Sequence, residues 1–338
     1  YPTLATNTAG KVVTEDLRAY DYQFPNELIP TRYQGIVEPH SLTMIFGDVS
    51  KLDRPTLVMR GWIFWSDTSI NVAMSQGDAV RPDFPLIDVW RNGGWVTLDR
   101  PFGLPKGKDK WMVLDLSGKI EPGDAKVRIR TNYQIYYDQA FMTDAVGETD
   151  TRVTQLQAVS ADLHYGGFSE MVRVSPVSPH HYDYQRKVSL PVWKDMSGMV
   201  TRYGDVTDLV KATDDAMVVF TAGDEMTCRF DATALPDLME GMTRSFYFLS
   251  DGWDKDADRN TVMGETVLPL PFHGMSAYPY PETERFPDSD AHRRTRALLA
   301  REIGPEAYRD YVRGTQFSGT PESLPWAHTK GIAEGGIK

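Results

Sequence analysis

VRIRTNYQIYY, residues Val127–Tyr137, places Val127, Ile129, Tyr133, Ile135 and Tyr137 on one side and Arg128, Arg130, Asn132 and Gln134 on the other. A period of two marks a strand that buries one face and wets the other. The stretch predicts one long strand and, with it, a β protein. Working outward, IDVW and WVTL within Leu86–Leu98 flank Asn92-Gly93-Gly94. Those residues readily take the left-handed backbone of a tight turn, so the segment reads as a hairpin. Ala216–Asp231 repeats the pattern, with AMVVF and EMTCRF around Ala222-Gly223-Asp224. Further strands are expected at Thr56–Trp65, Ile70–Ser75, Lys110–Leu116, Gln155–Tyr165, Arg244–Leu249 and Thr266–Leu270. Short strands at this spacing, with Gly, Pro and Asp between them, predict β-sandwiches.

Helix signals are few. Ser289–Ile303 has Ser289 as N-cap, Asp290 in the first turn and Leu298, Leu299 and Ile303 on one side. Gly304-Pro305 starts a second short helix, Pro305–Arg313, and Asp205–Ala212 reads as a turn or two of helix. The expected architecture is mainly β, with two tandem antiparallel β-sandwich, jelly-roll-like domains at residues 36–145 and 155–287. The polar stretch Thr143–Thr154 separates them. Residues 1–35 form an extended N-terminal arm, 288–313 a helical segment and 314–338 an extended tail with Phe317 and Trp326 as apolar anchors.

Composition narrows the function. The 338 residues carry 36 basic and 47 acidic side chains, a net charge of −11, which argues against nucleic acid as a general partner. The single cysteine, Cys228, excludes an intramolecular disulfide, a CxxC pair and a cysteine-based zinc ribbon; it is expected buried and free on a strand. No apolar run approaches 18 residues, so no transmembrane segment is expected. The chain begins at Tyr1 without Met, which leaves processing such as export-signal cleavage, an artificial start or an incomplete sequence.

The acidic segment DGWDKDADRN, Asp251–Asn260, is the strongest chemical pattern. Asp254, Asp256, Asp258 and Asn260 alternate, and Glu265 stands at the twelfth position of a calcium loop. Calcium wants six to eight oxygens, and this spacing turns successive side chains around an ion. Arg259 occupies the sixth position, where such loops need Gly, and the competing reading is a turn whose carboxylates cap backbone N–H groups. The histidines give no metal spacing: His180-His181 are adjacent in a Pro-rich loop, His273 lies among aromatics, and His164 sits on an expected strand. Ser276 in HGMSAY supplies half of a nucleophile elbow, with Tyr278 in place of the second Gly. Trp62 and Trp65, three apart, point to opposite sides of a strand, so at least one is a candidate partner contact.

GWIFWSDTSINVA (Gly61–Ala73), RIRTNYQIYYDQA (Arg128–Ala140), TRYGDVTDL (Thr201–Leu209), GDEMTCRFDA (Gly223–Ala232), DGWDKDADRNT and PLPFHGMSAYPYP (within Asp251–Pro281) occur in order. Across residues 36–290 the sequence resembles the C-terminal region of large bacterial secreted proteins with FG-GAP propeller repeats and an ASPIC/UnbV segment, the CRTAC-type proteins. Gly252, Trp253, Lys255, Asp256, Asp258 and Asn260 fit that family's Gly-Trp, Lys-Asp and Asp/Asn alternation. These residues contain neither the propeller nor the ASPIC segment, so the resemblance implies a β-rich fold and an extracytoplasmic setting but no activity. The strand ending at Tyr137-Asp138 is also similar to galactose-binding-like jelly rolls.

Three functions compete. The first is a non-catalytic extracytoplasmic accessory subunit of a larger, membrane-bound protein assembly, for example a photosynthetic reaction centre with its cytochrome. Trp62, Trp65, Phe317 and Trp326 would be its partner contacts, and no cofactor is expected. The second is a carbohydrate- or calcium-binding β-sandwich module. The third is a glycan hydrolase, which would need two carboxylates of divergent pKa.

Overall fold

The computed structural model describes residues 1–77, 80–98, 102–144, 152–189, 196–233 and 235–304. The fold is mainly β: fifteen strands and two α-helices among the described residues. The chain divides into two compact units, one holding Tyr1–Asp150 and Met171–Asp183, the other Thr151–Glu170 and Tyr184–Arg313. The expected boundary at Thr143–Thr154 lies near the first division. The tail with Phe317 and Trp326, and the helix expected at Pro305–Arg313, lie outside the described residues.

Unit 1 contains two antiparallel sheets. One has the order β1 (Leu4–Thr6), β2 (Ile36–Ile45), β7 (Lys126–Tyr133), β4 (Leu86–Arg91), β5 (Gly94–Thr97). The other has the order β6 (Lys110–Asp115), β3 (Pro55–Ile63), β8 (Ile135–Asp144). Met44, Val89, Val127 and Ile129 from the first sheet and Leu57, Met59, Ile135 and Ala140 from the second share one buried core. The β4–β5 hairpin turns as the sequence predicts, with Asn92 at φ +48° and Gly93 at φ +82°.

The long strand expected at Val127–Tyr137 is two strands. β7 ends at Tyr133, β8 starts at Ile135, and the two lie in different sheets. Gln134 makes the joint: its N–H donates to the Gly35 carbonyl (2.9 Å), and its carbonyl accepts from the Phe64 N–H (2.9 Å). Gly35 is required there, because it sits at φ +79° and a Cβ would lie 2.7 Å from the Phe64 carbonyl oxygen. The dry face survives the joint, since Val127, Ile129, Ile135 and Tyr137 are all buried.

Four other expectations change. Ile70–Ser75 is helical, within α1 (Thr68–Ser75), because the Asp67 carboxylate accepts from the Ile70 N–H (2.8 Å) and caps the turn. Residues 1–35 are no free arm. β1 pairs with β2, Ala5, Val13 and Leu17 enter the main core, and Tyr22 and Phe24 pack with Trp62, Tyr136 and Val172. Residues 244–249 and 266–270 form no strand; Thr266 makes a single bridge to Ser197. Residues 216–220 are not assigned to a strand, and the Val219 N–H is held by the Thr201 hydroxyl (2.8 Å).

In unit 2, β9 (Ala158–Tyr165) pairs with β13 (Gly204–Asp205) and with β14 (Asp224–Phe230). A single 3-10 turn, Thr207–Leu209, realises the short helix expected after Asp205. α2 (Asp290–Leu298) begins at the predicted cap, Ser289, but stops before Leu299. Leu299–Ile303 is β15 and pairs with β12 (Gly198–Thr201), a partner about a hundred residues away that no local pattern announces. β10 (Phe168–Val172) and β11 (His181–Val188) form a further two-stranded sheet.

Candidate functional site

A cleft of about 820 Å³ opens in unit 1 between α1, the end of β3 and the loops through Pro82 and Pro105. Its aromatic wall is held rigidly. Trp65 stacks on Phe64 (centroids 5.3 Å apart) and meets His180 edge-on (5.1 Å), while Phe84 packs on Tyr133 (5.4 Å). Its polar wall carries Ser66, Asn71, Ser75, Arg81 and Lys106. The Ser66 hydroxyl donates to Asn71 Oδ1 (2.8 Å), which leaves the Asn71 amide N–H groups as donors. Pockets of this size with an apolar lining and a few polar groups are the usual form of small-ligand sites.

Trp62 is not a partner contact. Its ring is fully buried, stacks on Tyr136 (5.2 Å) and donates from Nε1 to the Val177 carbonyl (3.1 Å). β3 ends at Ile63, so the strand alternation that would expose one of the two tryptophans stops before Trp65, which instead lines the cleft.

The acidic loop of unit 2 is organised around an ammonium. Lys255 Nζ donates to the carbonyls of Thr266 (2.7 Å), Val267 (3.0 Å), Met263 (3.2 Å) and Pro269 (3.4 Å), and lies over the Tyr278 ring. Burial pulls its pKa down to about 8, while the carbonyl dipoles favour the charged form. The Asp side chains work locally. Asp256 accepts from the Asp258 N–H (3.0 Å) and the Thr261 hydroxyl (2.8 Å), and Asp258 accepts from the Asn260 N–H (2.7 Å). Asp254 is exposed on the rim of a cavity of about 360 Å³, and Glu265 faces Arg259 (3.5 Å). Among the described residues, no three His, Cys, Asp or Glu side chains gather around a point that could hold a metal ion.

A second acidic group lies in unit 1. Asp138 bulges out of β8, because Arg60 pairs with Gln139 while Gly61 pairs with Tyr137. It is fully buried, accepts from the Tyr22 N–H (3.1 Å), and its Oδ2 has no hydrogen-bond partner among the described residues. Asp109 accepts from the Tyr20 and Tyr22 hydroxyls (3.0 Å each). The Arg60 guanidinium lies over the Tyr20 ring (3.3 Å). Burial pushes both carboxyls up, Asp138 to about 8, with the Asp109 and Asp21 charges adding to the effect and Arg60 opposing it. Sequence spacing could not reveal this pair, which stands 29 positions apart and meets only through the sheet. Neither carboxylate lines the cleft or the smaller cavity.

The remaining candidates are placed as follows. Burial lowers His180 and His181 to about 4. His273 bridges Asp215 (2.7 Å) and Asp251 (3.1 Å), and these hydrogen bonds raise its pKa. His164 lies between Asp162 (3.1 Å) and Glu225 (3.4 Å) on β9 and β14. The Ser276 N–H donates to Glu284 (3.1 Å). Cys228 is free and only half-buried, contrary to its expected burial, because β14 is a sheet edge whose side chains remain partly in water. In comparisons with known proteins, no family model, no curated protein and no solved structure matches the chain.

Proposed function

We propose that the chain is a non-catalytic accessory subunit that docks onto a larger, membrane-associated protein assembly on the extracytoplasmic side. The run Phe246–Leu249 carries the reading. Its four large apolar side chains are exposed by 71%, 88%, 70% and 86%. Leu238, Met239, Met242 and Trp253 nearby in sequence are exposed as well. Apolar area left in water costs about 25 cal/mol per Å², and exposed apolar patches mark interaction surfaces. The extracytoplasmic setting rests on the resemblance to secreted CRTAC-type proteins.

The test is native isolation of the chain with its neighbours, alongside a variant carrying Phe246→Ser and Phe248→Ser. The expected result is a complex that the variant abolishes without a change in melting temperature. A wild-type chain that isolates alone, indistinguishable from the variant, would overturn the reading. The unit 1 cleft favours a second reading, a ligand-binding module. Calcium at Asp254, Asp256, Asp258, Asn260 and Glu265 and a glycan hydrolase have less support: Lys255 already occupies the carbonyl ring of the acidic loop, and Asp109 and Asp138 lie away from the cleft.

A further inference from the structure

We infer that the cleft beside α1 binds an anionic saccharide of the uronic-acid class. This rests on the ligand-binding reading of unit 1 and stands apart from the docking run of unit 2. The first ground is charge. Arg81 and Lys106 face the cleft, both are exposed, and neither side chain makes a hydrogen bond or ion pair among the described residues. No carboxylate lines the cleft among the described residues, although acidic side chains outnumber basic ones 47 to 36 in the chain. Among the described residues, two cations and no carboxylate line the cleft, which favours an anion there.

The second ground is shape and polarity. The rings of Trp65, Phe84 and Tyr133 line the cleft and give it apolar surface of the kind that packs against the C–H side of a pyranose ring. Ser66, Asn71 and Ser75 offer hydroxyl and amide groups to sugar hydroxyls on the facing wall. The third ground is that the cleft offers an anion side chains and not the start of a helix. Phosphates seek free backbone N–H groups at a helix start. Here the start of α1 is capped by the Asp67 carboxylate, whose negative charge repels a phosphate placed there. The Arg81 and Lys106 side chains can hold an anion without such a backbone site, and the choice of carboxylate over phosphate is what AMP tests below.

Titration calorimetry on the full chain tests this with a galacturonate trimer, a neutral glucose trimer and AMP. The galacturonate trimer alone should bind, more weakly as salt is raised. Arg81→Ala with Lys106→Ala should weaken it about tenfold or more, as expected for lost charge-assisted hydrogen bonds. Phe84→Ala, at a half-exposed ring, should weaken it as well, and both variants should melt at the wild-type temperature. Equal binding of the neutral trimer, tighter binding of AMP, unchanged affinity in the double variant, or no heat from any ligand would each overturn the inference. The Phe246→Ser and Phe248→Ser variant should bind normally, so failure here is distinguishable from failure of the docking reading.

Discussion

Replacing Asp138 by Asn should flatten the pH dependence of unit 1. The Asp138 carboxyl moves from 3.8 to about 8 on folding, driven first by burial, then by the Asp109 and Asp21 charges, against the pull of Arg60 and the Asp21 N–H. The folded state therefore holds the proton that the unfolded chain releases near pH 4. As pH rises from 4 to 8 the unfolded state is ionised and the folded state is not, so stability falls across that window. Each pH unit removes about 1.4 kcal/mol, which makes about 3 kcal/mol between pH 5 and pH 7. At roughly 2–4 °C per kcal/mol for a unit of this size, the melting point should drop by about 6–12 °C. Asn mimics the protonated carboxyl: it keeps an acceptor for the Tyr22 N–H and carries no charge. Guanidinium denaturation at pH 5, 6, 7 and 8 measures the effect, read by tryptophan fluorescence, to which Trp62, Trp65, Trp90, Trp95 and Trp111 of unit 1 contribute. Parallel pH profiles for wild type and variant, or a wild type that gains stability between pH 5 and 8, would refute the reasoning.

Gly61→Ala should destabilise unit 1 by about 3 kcal/mol or more, measured by denaturation, because the added Cβ would lie 2.3 Å from the Tyr136 carbonyl oxygen opposite the bulge. Lys255→Met should cost unit 2 about 2 kcal/mol, since it leaves the carbonyls of Met263, Thr266, Val267 and Pro269 without their shared donor; a melting curve reads the loss. Adding calcium or EDTA should leave the melting temperature within about 1 °C, because the Asp256 and Asp258 carboxylates already hold local donors; a rise with calcium would restore the metal reading.

Elements whose cause is local were legible in the sequence. The Asn92-Gly93 hairpin, β3, β6 and the Ser289 cap each depend on a few neighbouring residues, and the structure places them where the pattern puts them. Elements decided at a distance were not. Leu299–Ile303 has helix-compatible spacing, yet the open edge of β12 captures it. Arg244–Leu249 has β-prone residues but pairs with no strand among the described residues, so propensity alone does not make a ladder. Ile70–Ser75 alternates well enough to read as a strand, but one carboxylate, Asp67, sets the first turn of a helix. The cleft joins residues from Ile63 to Tyr133 across several loops, so no motif spacing marks it. The alternation that first pointed to a β protein fails at Asp138 for a definite reason. The residues of this stretch that enter the main core, Val127, Ile129, Ile135 and Tyr137 and then Ala140, are odd-numbered before the bulge and even-numbered after it, because the bulged residue shifts the phase.

That phase has a consequence for how such a chain can vary over evolutionary time. Between Gln134 and Asp138 the number of residues matters more than their identity. One residue gained or lost at Gln134 would turn all of β8 over, moving Ile135 and Tyr137 out of the main core and Tyr136 out of its cluster with Trp62. Loss of the bulge residue would do the same to the half of β8 beyond it. Side chains at the joint can drift, but relatives of this protein should align across this window without gaps, and their insertions should fall elsewhere.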